Sequence, residues 1–189
     1  MTLSGKETLA LLLYLPGQSG QVGEPIIGTT RLVQTMFLLG QEVQGIPWTL
    51  PDFEAYDYGP YSPTVLSDVD TLHTLQVLSI SSIPALEPFD ILNTLNDQIY
   101  RFGRSGIVKQ QYMKKYALTS DRGIGFCEAM LLPRFTDAKI HELKEFKARC
   151  NGVSLTTLVR YVTIRYPQFT TDSKIRDRVL TYNTLSDNG

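Results

Sequence analysis

Apolar residues recur at helical spacing in two stretches of the chain. In TTRLVQTMFLL, from Thr29 to Leu39, the residues Leu32, Val33, Met36, Phe37 and Leu39 fall at i, i+1, i+4, i+5 and i+7, which places them on one helical face. A Thr hydroxyl at position 29 or 30 is suited to cap the start, and Gly40 and Gly45 weaken and then end the helix. The second stretch opens at Ser62-Pro63, an N-cap residue followed by a proline whose missing N–H costs nothing at the first helical position. Val65, Leu66, Val69, Leu72 and Leu75 then form its inward face, while Asp68 and Asp70 sit towards the positive end of the helix dipole. Two such helices joined by a Pro- and Gly-broken connector predict the heart of a winged helix-turn-helix domain.

The flanking pattern extends this reading. A helix is predicted over about Gly5–Leu15, with Leu9, Leu12 and Leu13 inward and Pro16-Gly17 as its stop. Gln18–Gly28 reads as a loop; its spaced glycines lack the GK[ST] and the preceding strand of a phosphate-binding loop. Trp48, in a second loop, is expected to plug the edge of the core. Val77–Ile83 alternates as a short strand, and Leu86–Leu95 holds a short helical turn. Asp97–Phe102 and Tyr112–Leu118 read as the two arms of a hairpin tipped by Gly103–Gly106, placed where a winged helix has its wing.

Beyond it, helices are predicted over Ser120–Leu132, stopped by Pro133, and after the caps Thr136 and Ser154. The first of the capped helices turns Ile140, Leu143, Phe146 and Cys150 inward, and the second Leu155, Leu158, Val159, Val162 and Tyr166. A last short helix covers about Ser173–Leu180. The expected fold is mainly α with a small β-hairpin or sheet. A winged-helix-like domain occupies residues 1–132, and a C-terminal helical extension, residues 133–189, packs on it.

Charge changes the picture more than composition does. The chain of 189 residues carries a net charge of −1, yet residues 1–98 hold two basic side chains against eleven acidic ones, and the remainder holds sixteen against eight. The asymmetry fits a polyanion-facing surface, or head-to-tail association into a homo-oligomer, or two halves that fold together and neutralise each other. No apolar run is long enough for a membrane span, no secretory leader is expected, and two cysteines make no disulfide framework, so a cytoplasmic location is expected.

Candidate chemistry is sparse. His73 and His141 are the only histidines and lack metal-ligand spacing. Cys127 sits between Phe126 and Ala129 with no implied histidine partner. Glu142-Leu143-Lys144 and Glu145-Phe146-Lys147 match the E-x-K piece of some metal-dependent nucleases, but on a helix they read as charged residues flanking an apolar face. No enzyme, metal or cofactor is expected. The wing and the C-terminal helices instead carry a basic set: Arg101, Arg104, Lys109, Lys114, Lys115, Arg160, Arg165, Lys174, Arg176 and Arg178. Cations interleaved with Tyr100, Tyr112 and Tyr116 suit a phosphate backbone; lysines on an exposed hairpin equally protect an edge strand. The helix at Ser62–Gln76 has no Arg or Lys for base edges, so any DNA contact would run through phosphates.

At Arg31-Leu32 and at Tyr58-Gly59-Pro60-Tyr61-Ser62 the chain resembles the Panacea, or SocA-like antitoxin, domain family, and is similar to YwgA-like proteins. Gln34 stands where that family has a lysine. The resemblance covers about residues 6–130 and implies a non-enzymatic module that neutralises a toxin by protein contact, in toxin–antitoxin or phage-defence settings. Two partners are therefore expected as alternatives. One is DNA, held by the basic set. The other is a toxin, effector or neighbouring-gene product, docked through Tyr56, Tyr58, Tyr61, Asp52, Glu54 and Asp57.

Overall fold

Seven consecutive residues, Thr8 to Tyr14, are buried in the first helix, α1 (Gly5–Tyr14), because the run TLALLLY is apolar almost all round. Ser4 and Glu7 cap it reciprocally: the Ser4 Oγ accepts from the Glu7 N–H at 3.3 Å and the Glu7 carboxylate accepts from the Ser4 N–H at 2.8 Å. The computed structural model describes residues 2–46, 48–84 and 112–181. In order, α1 is followed by β1 (Ile26–Ile27), α2 (Thr29–Glu42), β2 (Glu54–Tyr56), β3 (Gly59–Tyr61), α3 (Pro63–Thr74), β4 (Leu78–Pro84) and β5 (Tyr112–Leu118). The C-terminal part adds α4 (Arg122–Phe126), continued by a π turn (Cys127–Leu131) and a 3-10 turn (Leu132–Arg134), then α5 (Asp137–Gly152), α6 (Leu155–Arg165), a 3-10 turn (Pro167–Phe169) and α7 (Arg176–Thr181). The fold is thus mainly helical with a three-stranded antiparallel sheet and a separate two-stranded hairpin.

The sheet order is β1-β5-β4. β5 pairs with β4 along its whole length, from Leu78↔Leu118 to Pro84↔Tyr112, and with β1 at Ile26↔Tyr116 and Ile27↔Lys115. The strand expected at Tyr112–Leu118 is present, but its partner is Leu78–Pro84. The expected arm Asp97–Phe102 and the tip Gly103–Gly106 lie outside the described residues, as does the turn at Leu86–Leu95. Tyr116 and Leu118 of β5 and Leu78 of β4 are buried, so both strands turn an apolar face to the core.

The stripes beginning at Leu32 and Val65 meet in one cluster. Leu32, Met36 and Phe37 of α2 and Val65, Val69 and Leu72 of α3 share it with Leu9 and Leu12 of α1, and with Leu143, Phe146, Leu158 and Val162 of the C-terminal helices. Phe37 joins these parts through edge-on contacts to Phe53 (5.3 Å), Tyr166 (5.2 Å) and Phe169 (4.8 Å). Trp48 packs against the same cluster, as expected.

Three local expectations are corrected. Leu75 is 54% exposed, because α3 ends at Thr74 and the chain turns at Gln76, whose φ of 58° directs it into β4. The cap of α2 is Gly28 rather than a threonine; the Thr29 hydroxyl is 2.7 Å from the Tyr116 hydroxyl instead, tying α2 to β5. Lys147, read as a solvated flank of α5, is fully buried. Among the described residues no helix is long and apolar enough to cross a membrane.

Candidate functional site

The Arg31-Leu32 stretch of α2 and the Tyr58–Ser62 turn interlock. On α2, Arg31 donates from Nη1 to the Cys150 carbonyl (2.5 Å), Leu32 lies in the core, and the buried Gln34 donates from Nε2 to the Tyr58 carbonyl (2.8 Å). The β2–β3 hairpin pairs Glu54↔Tyr61, Ala55↔Pro60 and Tyr56↔Gly59. Gly59 holds φ at 110°, a conformation that favours glycine, and a Cβ there would press on Gln34 Nε2 at 3.3 Å. Ser62 caps α3 by position, although its buried hydroxyl has no partner.

The candidate protein-binding residues divide. Asp57 is bound by Lys174, Nζ to Oδ2 at 2.6 Å, and Tyr58 packs against Leu155, Val159, Ile175 and Val179. Asp52, Glu54 and Tyr56 remain exposed, with the Tyr56 ring 4.8 Å from the half-buried Tyr61 ring.

The basic candidates are spread over several elements. Lys114 is exposed and Lys115 half-buried on opposite faces of β5. Arg165 is exposed at the end of α6, 5.7 Å above the Tyr166 ring, and Arg160 is half-buried on the same helix. Lys174, Arg176 and Arg178 cluster at α7, with Lys174 engaged by Asp57. Arg101, Arg104 and Lys109 lie outside the described residues. The outward residues of α3 are Pro63, Thr64, Ser67, Asp70, His73 and Thr74, and Asp68 is buried and paired with Lys6 at 3.0 Å.

The halves of opposite charge meet inside the fold. Besides Lys174–Asp57, Arg134 pairs with Glu7 at 2.8 Å, and Glu42 of α2 accepts from the hydroxyls of Tyr161 (2.7 Å) and Tyr166 (3.2 Å). The densest junction is one that sequence reasoning missed. Lys147 donates to three carbonyls, those of Leu13 (3.1 Å), Leu15 (2.5 Å) and Glu24 (2.6 Å), and so closes the C-terminal end of α1. Burial pushes its ammonium down to about 7, with the Glu24 carboxylate pulling the other way. The available signal was an α1 with no basic residue in its last turn and a lysine next to Phe146, on the inward face of α5.

The Glu24 carboxylate accepts from the backbone N–H groups of Gln18 and Ser19, from the Ser19 hydroxyl and from Asn151. Burial alone would raise its pKa, but the bonds from Asn151 and Ser19 hold it at about 2. Beside this junction lies a cleft of about 420 Å³ lined by Ile27, Arg31, Met113, Asn151 and Leu155 among others.

Burial, with a smaller contribution from Glu128 at Cys127 and from Glu42 at Cys150, pushes both thiols up to about 12, so neither is a thiolate near neutral pH. Among the described residues no three His, Cys, Asp or Glu side chains gather as a metal site. The two E-x-K pieces lie on α5, as a helix-flank reading requires, though Lys147 points inward. Compared with protein-family models, curated proteins and solved structures, the chain returns no match.

Proposed function

We propose that this chain is a non-catalytic winged-helix regulator, working in the cytoplasm, that acts by binding another macromolecule, and that DNA is that partner. The observation that supports this reading is topological. The elements α1, β1, α2, α3, β4 and β5 follow in that order, with the β2–β3 hairpin between α2 and α3, and β1 lies on the sheet edge beside β5; this order supports a winged-helix reading. The β4–β5 pair then serves as the wing, and residues 133–189 as a helical extension. The outward face of α3 offers no cation for base edges, so the affinity comes from phosphate contacts by the wing and the C-terminal helices. Reversing Arg101, Arg104, Lys114 and Lys115 to Glu tests this: the folded variant loses duplex DNA binding in a gel shift. Unchanged affinity in a folded variant refutes the wing as the contact.

A second reading, a protein-docking module of antitoxin type, has its own support in the exposed Tyr56 ring set against Tyr61 and flanked by Glu54 and Asp52. Paired aromatics beside acids suit a basic protein surface. Co-expression with a neighbouring gene product tests it: co-purification that Tyr56→Ala abolishes supports the reading, and no co-purification counts against it.

A further inference from the structure

Ser173 to Thr181 is held apart from the main core. Ile175 and Val179, one helical turn apart, are fully buried, yet in a cluster of their own with Leu155, Val159 and Tyr58. Polar ties close the front of this seat. The Lys174 N–H donates to the Asp57 carbonyl (3.0 Å), the Ser173 hydroxyl to the same oxygen (3.4 Å), and Lys174 Nζ to the Asp57 carboxylate (2.6 Å). α7 has six residues, far too few to hold a helix without the seat beneath it. Every part of the seat comes from the body of the fold: Tyr58 and Asp57 from the motif turn, and Leu155 and Val159 from α6.

We propose that this seat is a docking groove for a short amphipathic helix of a protein partner, and that α7 is the chain's own occupant, displaced when the partner binds. The occupant is defined by what the groove accepts. It is a basic residue facing Asp57, followed by apolar side chains one and five positions later, as in Lys174-Ile175-x-x-x-Val179. The Asp57 carboxylate at the seat favours a basic residue on the partner. A tethered segment competes at an effective concentration on the order of millimolar, so the groove stays closed until a better-matched helix arrives. The inference rests on the second reading, that a protein partner exists.

The test uses the full chain and, as probe, a labelled peptide of residues 173–181. In Ile175→Asp/Val179→Asp the internal competitor is removed, and the peptide binds this variant about tenfold tighter or more than it binds wild type. A peptide carrying Lys174→Glu loses that gain. Equal binding to both chains, or no binding to the folded variant, overturns the proposal. Hydrogen exchange on the wild-type chain and on full-chain Lys174→Glu provides a readout that does not depend on the double variant folding. The amides of α7 exchange about tenfold faster than those of α6, and faster still in Lys174→Glu; α7 amides as protected as those of α6 overturn the proposal. These failures leave the second reading standing, because a partner on the Tyr56–Tyr61 face would still co-purify.

Discussion

Gln34 donates its side-chain amide to the carbonyl oxygen of Tyr58 at 2.8 Å, and through that bond the Arg-Leu helix and the Y-G-P-Y-S turn become one structural unit. Gln34 is buried and Tyr58 half-buried, so losing the donor takes from the carbonyl its side-chain partner. Gln34→Leu is expected to lower stability by about 1–3 kcal/mol in a denaturant titration. Gly59→Ala is expected to cost a similar amount, roughly 1–2 kcal/mol, since φ at that position is 110°. Wild-type stability in both variants would show that the motif is not a structural clamp.

Lys147 is the second such clamp. Lys147→Met keeps most of the volume but leaves the carbonyls of Leu13, Leu15 and Glu24 without their donor. The expected loss is roughly 3 kcal/mol, or a Tm lower by about 6–12 °C for a chain of this size, read by calorimetry. A shift of no more than a degree would mean that water replaces the ammonium without penalty.

Acid should act through Glu24. Its folded carboxyl is held at about 2 against an ordinary value of 4.5, so its contribution is complete above the ordinary value and is lost as pH falls from there towards 2. The contribution is at most about 3 kcal/mol, reduced by partial exposure. Chemical denaturation from pH 6 to pH 2 should show wild type converging on Glu24→Gln over that window. Parallel pH profiles would contradict the assignment.

Truncation in the shared core tests the fold itself. Leu72→Ala and Leu32→Ala each leave a cavity among fully packed side chains, and each is expected to cost roughly 2–5 kcal/mol. Leu75→Ala, on the exposed end of α3, should change stability by less than about 0.5 kcal/mol.

The contrast between Leu72 and Leu75 shows what was legible in the sequence. Apolar periodicity located α1, α2, α3, α5 and α6 and their inward faces, since helix period and burial are local properties. Leu75 continued the stripe on paper, but the turn at Gln76 cut it short. The pairing of Tyr112–Leu118 with Leu78–Pro84 was not legible because pairing is non-local: strand alternation identifies an inward face without identifying the neighbour. Lys147 was hidden for a related reason. A lysine on an inward face is explained only by the carbonyls that reach it, and these come from residues more than 120 positions earlier. The candidate surfaces were legible as residue types but not as groupings. Asp57 and Lys174, assigned to rival partners, turned out to bind each other.

The central claim is that the chain holds DNA through phosphate contacts, and a salt titration of duplex DNA binding by the full chain, followed by fluorescence anisotropy, tests it most directly. With roughly four to six phosphates neutralised, log K should fall linearly with log salt at a slope of about −4 to −5, with little preference among duplex sequences. Absence of binding at about 50 mM salt, or an affinity that does not change as salt rises, would contradict it.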